Sequence, residues 1–195
     1  MATVATPMTT EEMLAMPDNG MERWLIAGKL RERHPAKRNS FQNPMRNRFY
    51  SRIMACVTTE LELWLRQQPA PRGQVLCGEA GCRLRHEPDT TVGIDVVYVS
   101  ADVVIQQTGE TSLIDGVPTL AVEILSPNDT VEEIHEKTTT YRVAGVPLVW
   151  VLDPYNRTVM VHRPDAEPEM FNSHHELSGE PHLPGFRVPV ARLFE

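Results

Sequence analysis

Three runs of β-branched and aliphatic residues govern what this chain can fold into: 94–99 (IDVVYV), 119–125 (TLAVEIL) and 148–152 (LVWVL), each bounded by turn residues. Runs that do not alternate apolar with polar are the pattern of strands covered on both faces. The covering helices are visible in the pattern. From 45 to 67, Phe49, Ile53, Cys56, Val57, Leu61, Trp64 and Leu65 recur at helical spacing, and Pro69-Ala70-Pro71-Arg72-Gly73 ends the helix. A second helix is expected from 130 to 144, entered through Ser126-Pro127-Asn128-Asp129 and stopped at Gly145. Thr9-Thr10-Glu11-Glu12 is the capping box of a short helix that Pro17 stops. Residues 24–30 read as strand, turn at Gly28 and strand, and 34–44 as loop. Residues 74–77 and 81–85 read as two strands joined through Gly78, and 158–162 as the hairpin partner of 148–152, with short strands in the tail. The expectation is one mixed-sheet α/β domain over residues 1–195.

Composition narrows the function classes. At 41% hydrophobic and 23% charged the chain can form a real core. Aromatics at 6% argue against a stacking channel for single strands as its main device. No apolar run reaches the roughly 18 residues of a membrane span, no basic and apolar leader stands at the N-terminus, and three cysteines are too few for a disulfide framework. A cytoplasmic protein with no membrane role is expected. No P-loop, G-x-G-x-x-G or G-x-S-x-G is present, and His135-Glu136 lacks the second histidine of a zinc-protease helix. Cys77 and Cys82 do not have the spacing of a zinc knuckle, and His174-His175 reads as exposed loop.

Acids inside the buried strands stand out. Asp95 lies in the first run and Glu123 in the second, and a carboxylate among β-branched residues is costly to desolvate without a compensating positive group. Strand alternation puts Glu123 on one face with Ala121 and Leu125. Two such acids on neighbouring strands repel unless a cation lies between them, and their oxygens suit magnesium or manganese. The plainer reading places each acid at a strand end facing water or beside an arginine. On the following helix, Lys137 lies at the inner edge of an Ile134, Thr138, Tyr141 stripe, where it can reach the sheet; otherwise it snorkels or pairs with Glu133.

In this order, acid, acid and helical lysine resemble the Uma-two-type restriction endonucleases, a branch of the PD-(D/E)XK nuclease superfamily. The resemblance is carried by MTTEEMLAMPD at 8–18, GEAGCRL at 78–84, the 94–99 run, residues 118–129, Glu136-Lys137 through Tyr141, AGVPLVWVLDP at 144–154, and Leu183-Pro184-Gly185-Phe186 through Phe194. It implies a restriction-endonuclease-like fold: a mixed central sheet flanked by helices, with an extra N-terminal hairpin and C-terminal strands. It also implies a Mg2+- or Mn2+-dependent endonuclease acting on nucleic acid, with DNA the expected substrate. Asp95 and Glu123, with the carbonyl of Ile124, would hold the metal. Lys137 would position the attacking water or stabilise charge on the phosphate, standing in for the lysine usually found two residues after the glutamate, where this chain has Leu125. Glu79 would join the site through the metal or a water.

The chain departs from that pattern in its early hairpin, where relatives carry a tyrosine–glutamate pair and a second acid and this chain reads Arg23-Trp24-Leu25-Ile26-Ala27-Gly28-Lys29. It departs again at Tyr50, which aligns with a frequent histidine, and Ile94 replaces a frequent proline. The net charge is −7, yet residues 22–52 carry +7 and the remainder −14. A basic third on an acidic body suits phosphate contact, with Arg46, Arg48 and Arg52 as candidates, or is an ordinary solvated surface. Two copies combining their basic faces would make a homodimer. The alternative function is a nuclease fold that has lost its chemistry and binds nucleic acid or protein; a hydrolase of another substrate is the third.

Overall fold

The computed structural model describes residues 6–33, 47–109, 112–127 and 129–195, so the expected 34–44 loop and Arg46 lie outside the described residues. Helix α1 (Thr10–Leu14) carries the capping box read from the sequence: Thr9 accepts the Glu12 amide, and the Glu12 carboxylate accepts the Thr9 amide. Thr10 docks it, its amide and hydroxyl donating to Asp89 at 2.8 and 2.6 Å. Strands β1 (Glu22–Ile26) and β2 (Lys29–Arg33) form a hairpin closed by Ala27 and Gly28. Both turn residues have positive φ, +50° and +70°, the handedness that matches strand twist. Glycine is required at the second position, because a Cβ there would lie 2.4 Å from Pro7 Cβ.

Helix α2 (Arg48–Leu65) is capped by Asn47, whose side chain accepts the Tyr50 amide. It buries Tyr50, Ile53, Val57, Leu61, Trp64 and Leu65. Phe49, expected on that stripe, is exposed instead; the inward face begins one residue later, at Tyr50.

Strand β3 (Gln74–Arg85) corrects the sequence reading of two strands turning at Gly78. Gly78 and Glu79, with φ of +91° and +60°, bulge out of one continuous strand. The chain does not reverse there because β4 (Thr90–Val99) offers a single long partner on both sides of the bulge. Helix α3 (Ala101–Ile105) and strand β5 (Ile114–Asp115) follow, neither anticipated from the sequence. Then come β6 (Leu120–Ile124), α4 (Val131–Ala144), β7 (Leu148–Asp153), β8 (Thr158–His162) and β9 (Glu169–Asn172). Helix α4 has a full capping box between Thr130 and Glu133 and ends on Gly145 in the left-handed region, φ +89°. Strands β10 (Glu176–Ser178) and β11 (Arg187–Pro189) pair separately, before a 3-10 turn at Val190–Phe194.

Among the described residues one mixed sheet holds nine strands, running β2-β1-β4-β6-β7-β8-β9 with β3 and β5 joined to it through β4. The β6–α4–β7 unit is parallel and its neighbours antiparallel. One face packs on α2 and the C-terminal tail, through Val122, Trp150, Val161, Phe186 and Leu193 among others. The other packs on α4 through Val97, Ala121, Tyr141, Val146 and Val149. This is the mixed sheet between helices that the sequence implied.

Candidate active site

The sheet opens at one place. Strand β3 runs along one edge of β4, so β1 and β6 must share the other: β1 meets it at Thr91 and β6 at Val96–Tyr98. Between these contacts Val92, Gly93 and Asp95 line a cleft of about 260 Å³. Asp95 is unpaired in the ladder on both sides. The β3 bulge skips it, since Cys77 pairs with Val96 and Ala80 with Ile94, and the β6 register stops at Val96–Val122, one step before Asp95 would face Glu123.

Its carboxylate fills the break. Asp95 Oδ2 accepts the Ile124 amide at 2.7 Å, and Oδ1 accepts the Tyr50 hydroxyl at 2.5 Å. Glu123 lies on the face of Ala121, toward α4. Its Oε2 accepts from Lys137 Nζ at 2.5 Å and its Oε1 from the Tyr141 hydroxyl. Both acids are buried, Asp95 at 6% exposure and Glu123 at 3%. Asp95, Glu123 and Lys137 therefore meet at one place, and Lys137 bonds Glu123 rather than Glu133, which is engaged in capping α4. Glu79 occupies the bulge over Gly93 and lines the same cleft from its exposed side. A strand residue has its amide and carbonyl on the same edge, so the Ile124 carbonyl faces the side of Asp95.

Burial pushes the Glu123 carboxyl up to about 7; Lys137 draws it down, and the Asp95 charge adds to the rise. Burial works against the Lys137 ammonium too, but its side chain keeps 30% exposure, and Glu123 holds it above its ordinary value. The lysine stays charged while the glutamate titrates near neutrality. Burial, then Glu123, holds the Tyr141 hydroxyl well above the usual tyrosine range, so it remains a donor.

The hairpin that departs from the family pattern forms the far wall. Register puts Glu22, Trp24 and Ile26 on the same face as Arg33, Arg31 and Lys29. Arg33 binds Glu22 at 2.8 Å and Asp129 at 3.3 Å, and Arg31 binds Glu136 at 2.9 Å, which ties the hairpin to α4 across the mouth. Arg48 and Arg52 do not line the cleft. Arg48 stacks over the Phe49 ring at 4.7 Å, and Arg52 donates to the Glu195 carbonyl at 2.6 Å.

Sequence reasoning missed two of the groups that hold the acids. Tyr50 figured as a departure from a family histidine, although its spacing with Ile53 and Val57 already placed it inward. Tyr141 was expected on the inner stripe but not as a donor to Glu123. The break in the ladder has its sequence signal in Gly78, a residue that suits a bulge as well as a join between two strands.

The acid pair, the lysine and the split sheet invite comparison with known proteins. The Uma2 family, described as "Putative restriction endonuclease", matches residues 11–191. Among solved structures, a "putative nuclease belonging to DUF820" from Anabaena variabilis is 20% identical; the match covers 96% of this chain and 98% of that one, with a TM-score of 0.74. At that identity the likeness shows the fold. No curated protein matches the chain. With all but the ends of the sequence matched, the chain belongs to the Uma2 family.

Proposed function

We propose that this protein is a metal-dependent endonuclease that hydrolyses phosphodiester bonds in DNA, with residues 1–195 acting as one domain. The observation that carries the reading is the convergence of Asp95, Glu123 and Lys137 where the sheet splits. Among the described residues no three His, Cys, Asp or Glu side chains gather as a closed metal cage. Two carboxylates and a backbone carbonyl fit an ion that keeps several waters, as magnesium does, and manganese suits the same oxygens. Asp95, Glu123 and the Ile124 carbonyl are the proposed ligands. When bound, the ion supplies Lewis-acid polarisation of the phosphate and makes a nearby water more acidic.

The remaining work falls to the chain. Tyr50 and the Ile124 amide fix the Asp95 carboxylate, and Tyr141 fixes that of Glu123. An ammonium has three donors, of which Glu123 takes one, leaving Lys137 two for the attacking water or a phosphate oxygen. Glu79, at the open side of the cleft, is the proposed third acid, joining the site through the metal or a water. Arg46, Arg48 and Arg52 are the proposed backbone contacts, whose joint replacement weakens binding and flattens its salt dependence.

The test is cleavage of plasmid DNA with Mg2+ or EDTA by wild type, Asp95→Asn, Asp95→Ala and Lys137→Ala. Losses of about 10²-fold or more are expected in each variant, with folding checked by circular dichroism. Undiminished cleavage by the variants would place the activity elsewhere. DNA binding without turnover in the wild type would make the chain a binding module instead.

A further inference from the structure

Helix α4 has two working faces. Glu133, Lys137, Thr140 and Tyr141 look toward the cleft side, while His135, Thr138, Thr139 and Arg142, at i, i+3, i+4 and i+7, share the reverse side. That reverse side borders a second cavity of about 190 Å³, closed by His162 at the end of β8 and by the segment from Arg163 to Pro168. Its floor is Val149, which pairs with His162 across β7 and β8.

The lining is unusual for a chain of net charge −7. It gathers Arg142, Arg163, His135 and His162, with Glu167 as its one acid. Among the described residues no side-chain hydrogen bond or ion pair engages His135, His162 or the Arg142 guanidinium. Arg163 binds Glu169 at 3.0 Å, and because Glu169 is 61% exposed this is a surface pair of small worth. No metal cluster involves the two histidines among the described residues. Burial, and then the nearby Arg142 guanidinium, hold His162 below its ordinary value. A water occupies about 30 Å³ in the liquid, so the space exceeds what a single solvent molecule needs.

We propose that this pocket binds a phosphate group, with Arg142 and His162 as its principal donors and Thr139 and His135 at its rim. A guanidinium, imidazoles and a hydroxyl around one cavity can saturate the oxygens of a compact dianion. The choice of phosphate over other small anions rests on the nuclease reading. The group comes from one of two sources: the terminal phosphate of a mononucleotide, or a backbone phosphate of nucleic acid running past α4.

The test follows the ring signals of His162 and His135 by NMR in the full chain, titrated with inorganic phosphate, with a 5′-mononucleotide and with an oligonucleotide lacking terminal phosphates. Acetate at equal ionic strength is the control. Saturable movement of the His162 ring with phosphate, absent with acetate, is expected. Arg142 is exposed, so Arg142→Gln should fold, and it should weaken phosphate at least tenfold. Movement with the mononucleotide identifies a terminal-phosphate site, and movement with the oligonucleotide a backbone site. An unmoved His162 in all three titrations overturns the proposal. So does an affinity that Arg142→Gln leaves unchanged, or one that is lost in Lys137→Ala, which would put the anion in the cleft. None of these readouts depends on cleavage, so a failed nuclease assay and a failed phosphate site remain distinguishable.

Discussion

Glu123 makes the stability of the protein depend on pH in an unusual direction. Its carboxyl is 3% exposed, and burial raises it from 4.5 to about 7. At about 1.4 kcal/mol for each tenfold change in proton affinity, the native protein disfavours the ionised form by about 3 kcal/mol relative to the unfolded chain. Between pH 4.5 and about 7 the native state therefore binds more protons than the unfolded state, and the stability contributed by this group falls as pH rises through that window. Glu123→Gln imitates the protonated acid without its titration, and in both species Lys137 faces Asp95 as a remaining anion. Urea unfolding of the two proteins in EDTA at pH 5 and pH 8 isolates the effect. The variant should match wild type within about 1 kcal/mol at pH 5 and exceed it by about 3 kcal/mol at pH 8. With excess Mg2+ the wild type should recover at pH 8, since carboxylate ligands bind the ion deprotonated, whereas the variant should gain less. A difference between the two proteins that stays constant from pH 5 to pH 8 would refute the argument, because burial would then not be setting the proton affinity of Glu123.

Tyr50→Phe removes the buried donor to Asp95 Oδ1 and should lower stability at pH 7.5 by about 1–3 kcal/mol, read as a urea midpoint shift with the fold unchanged; no shift would mean the hydroxyl is dispensable to Asp95. Cys77 is exposed and should react with a thiol reagent in the native protein, whereas Cys82 is fully buried and its thiol is pushed up to about 12, so it should react only on unfolding. Native labelling of Cys82, detected by peptide mass mapping, would contradict the packing of β3 against α4.

The parts of the fold that could be read from the sequence are those set by local chemistry. The capping box at Thr9, the Gly28 turn and the Gly145 stop each require particular residues at fixed offsets, and each is where the spacing put it; the box at Thr130 emerges only in the structure, at the start of the helix expected from 130. The continuous apolar runs revealed strands covered on both faces. Pairing was less legible: Gly78 permits a turn and a bulge equally well, and only the long partner strand β4 decides between them. Arg31 and Arg33 read as free positive charge, but their partners Glu136 and Asp129 lie about a hundred residues away and become neighbours only when the sheet forms. The short helix α3 has too few residues for periodicity to register.

Asp95 shows why site and fold should be read together. Opening a ladder leaves backbone donors without partners, and a buried unpaired amide costs about 1–3 kcal/mol. Where β4 and β6 part, the Ile124 amide would be such a donor, and it is the Asp95 carboxylate that accepts it. The acid therefore closes the hydrogen bonding of the cleft it lines. Alanine at this position removes the carboxylate and also strands the Ile124 amide, so its effects on cleavage and on folding are entangled. Asparagine keeps one oxygen for that amide while losing the charge. If Asp95→Asn keeps near-native stability but loses Mg2+-dependent cleavage, the two roles separate, and the loss belongs to the chemistry rather than to a collapsed cleft.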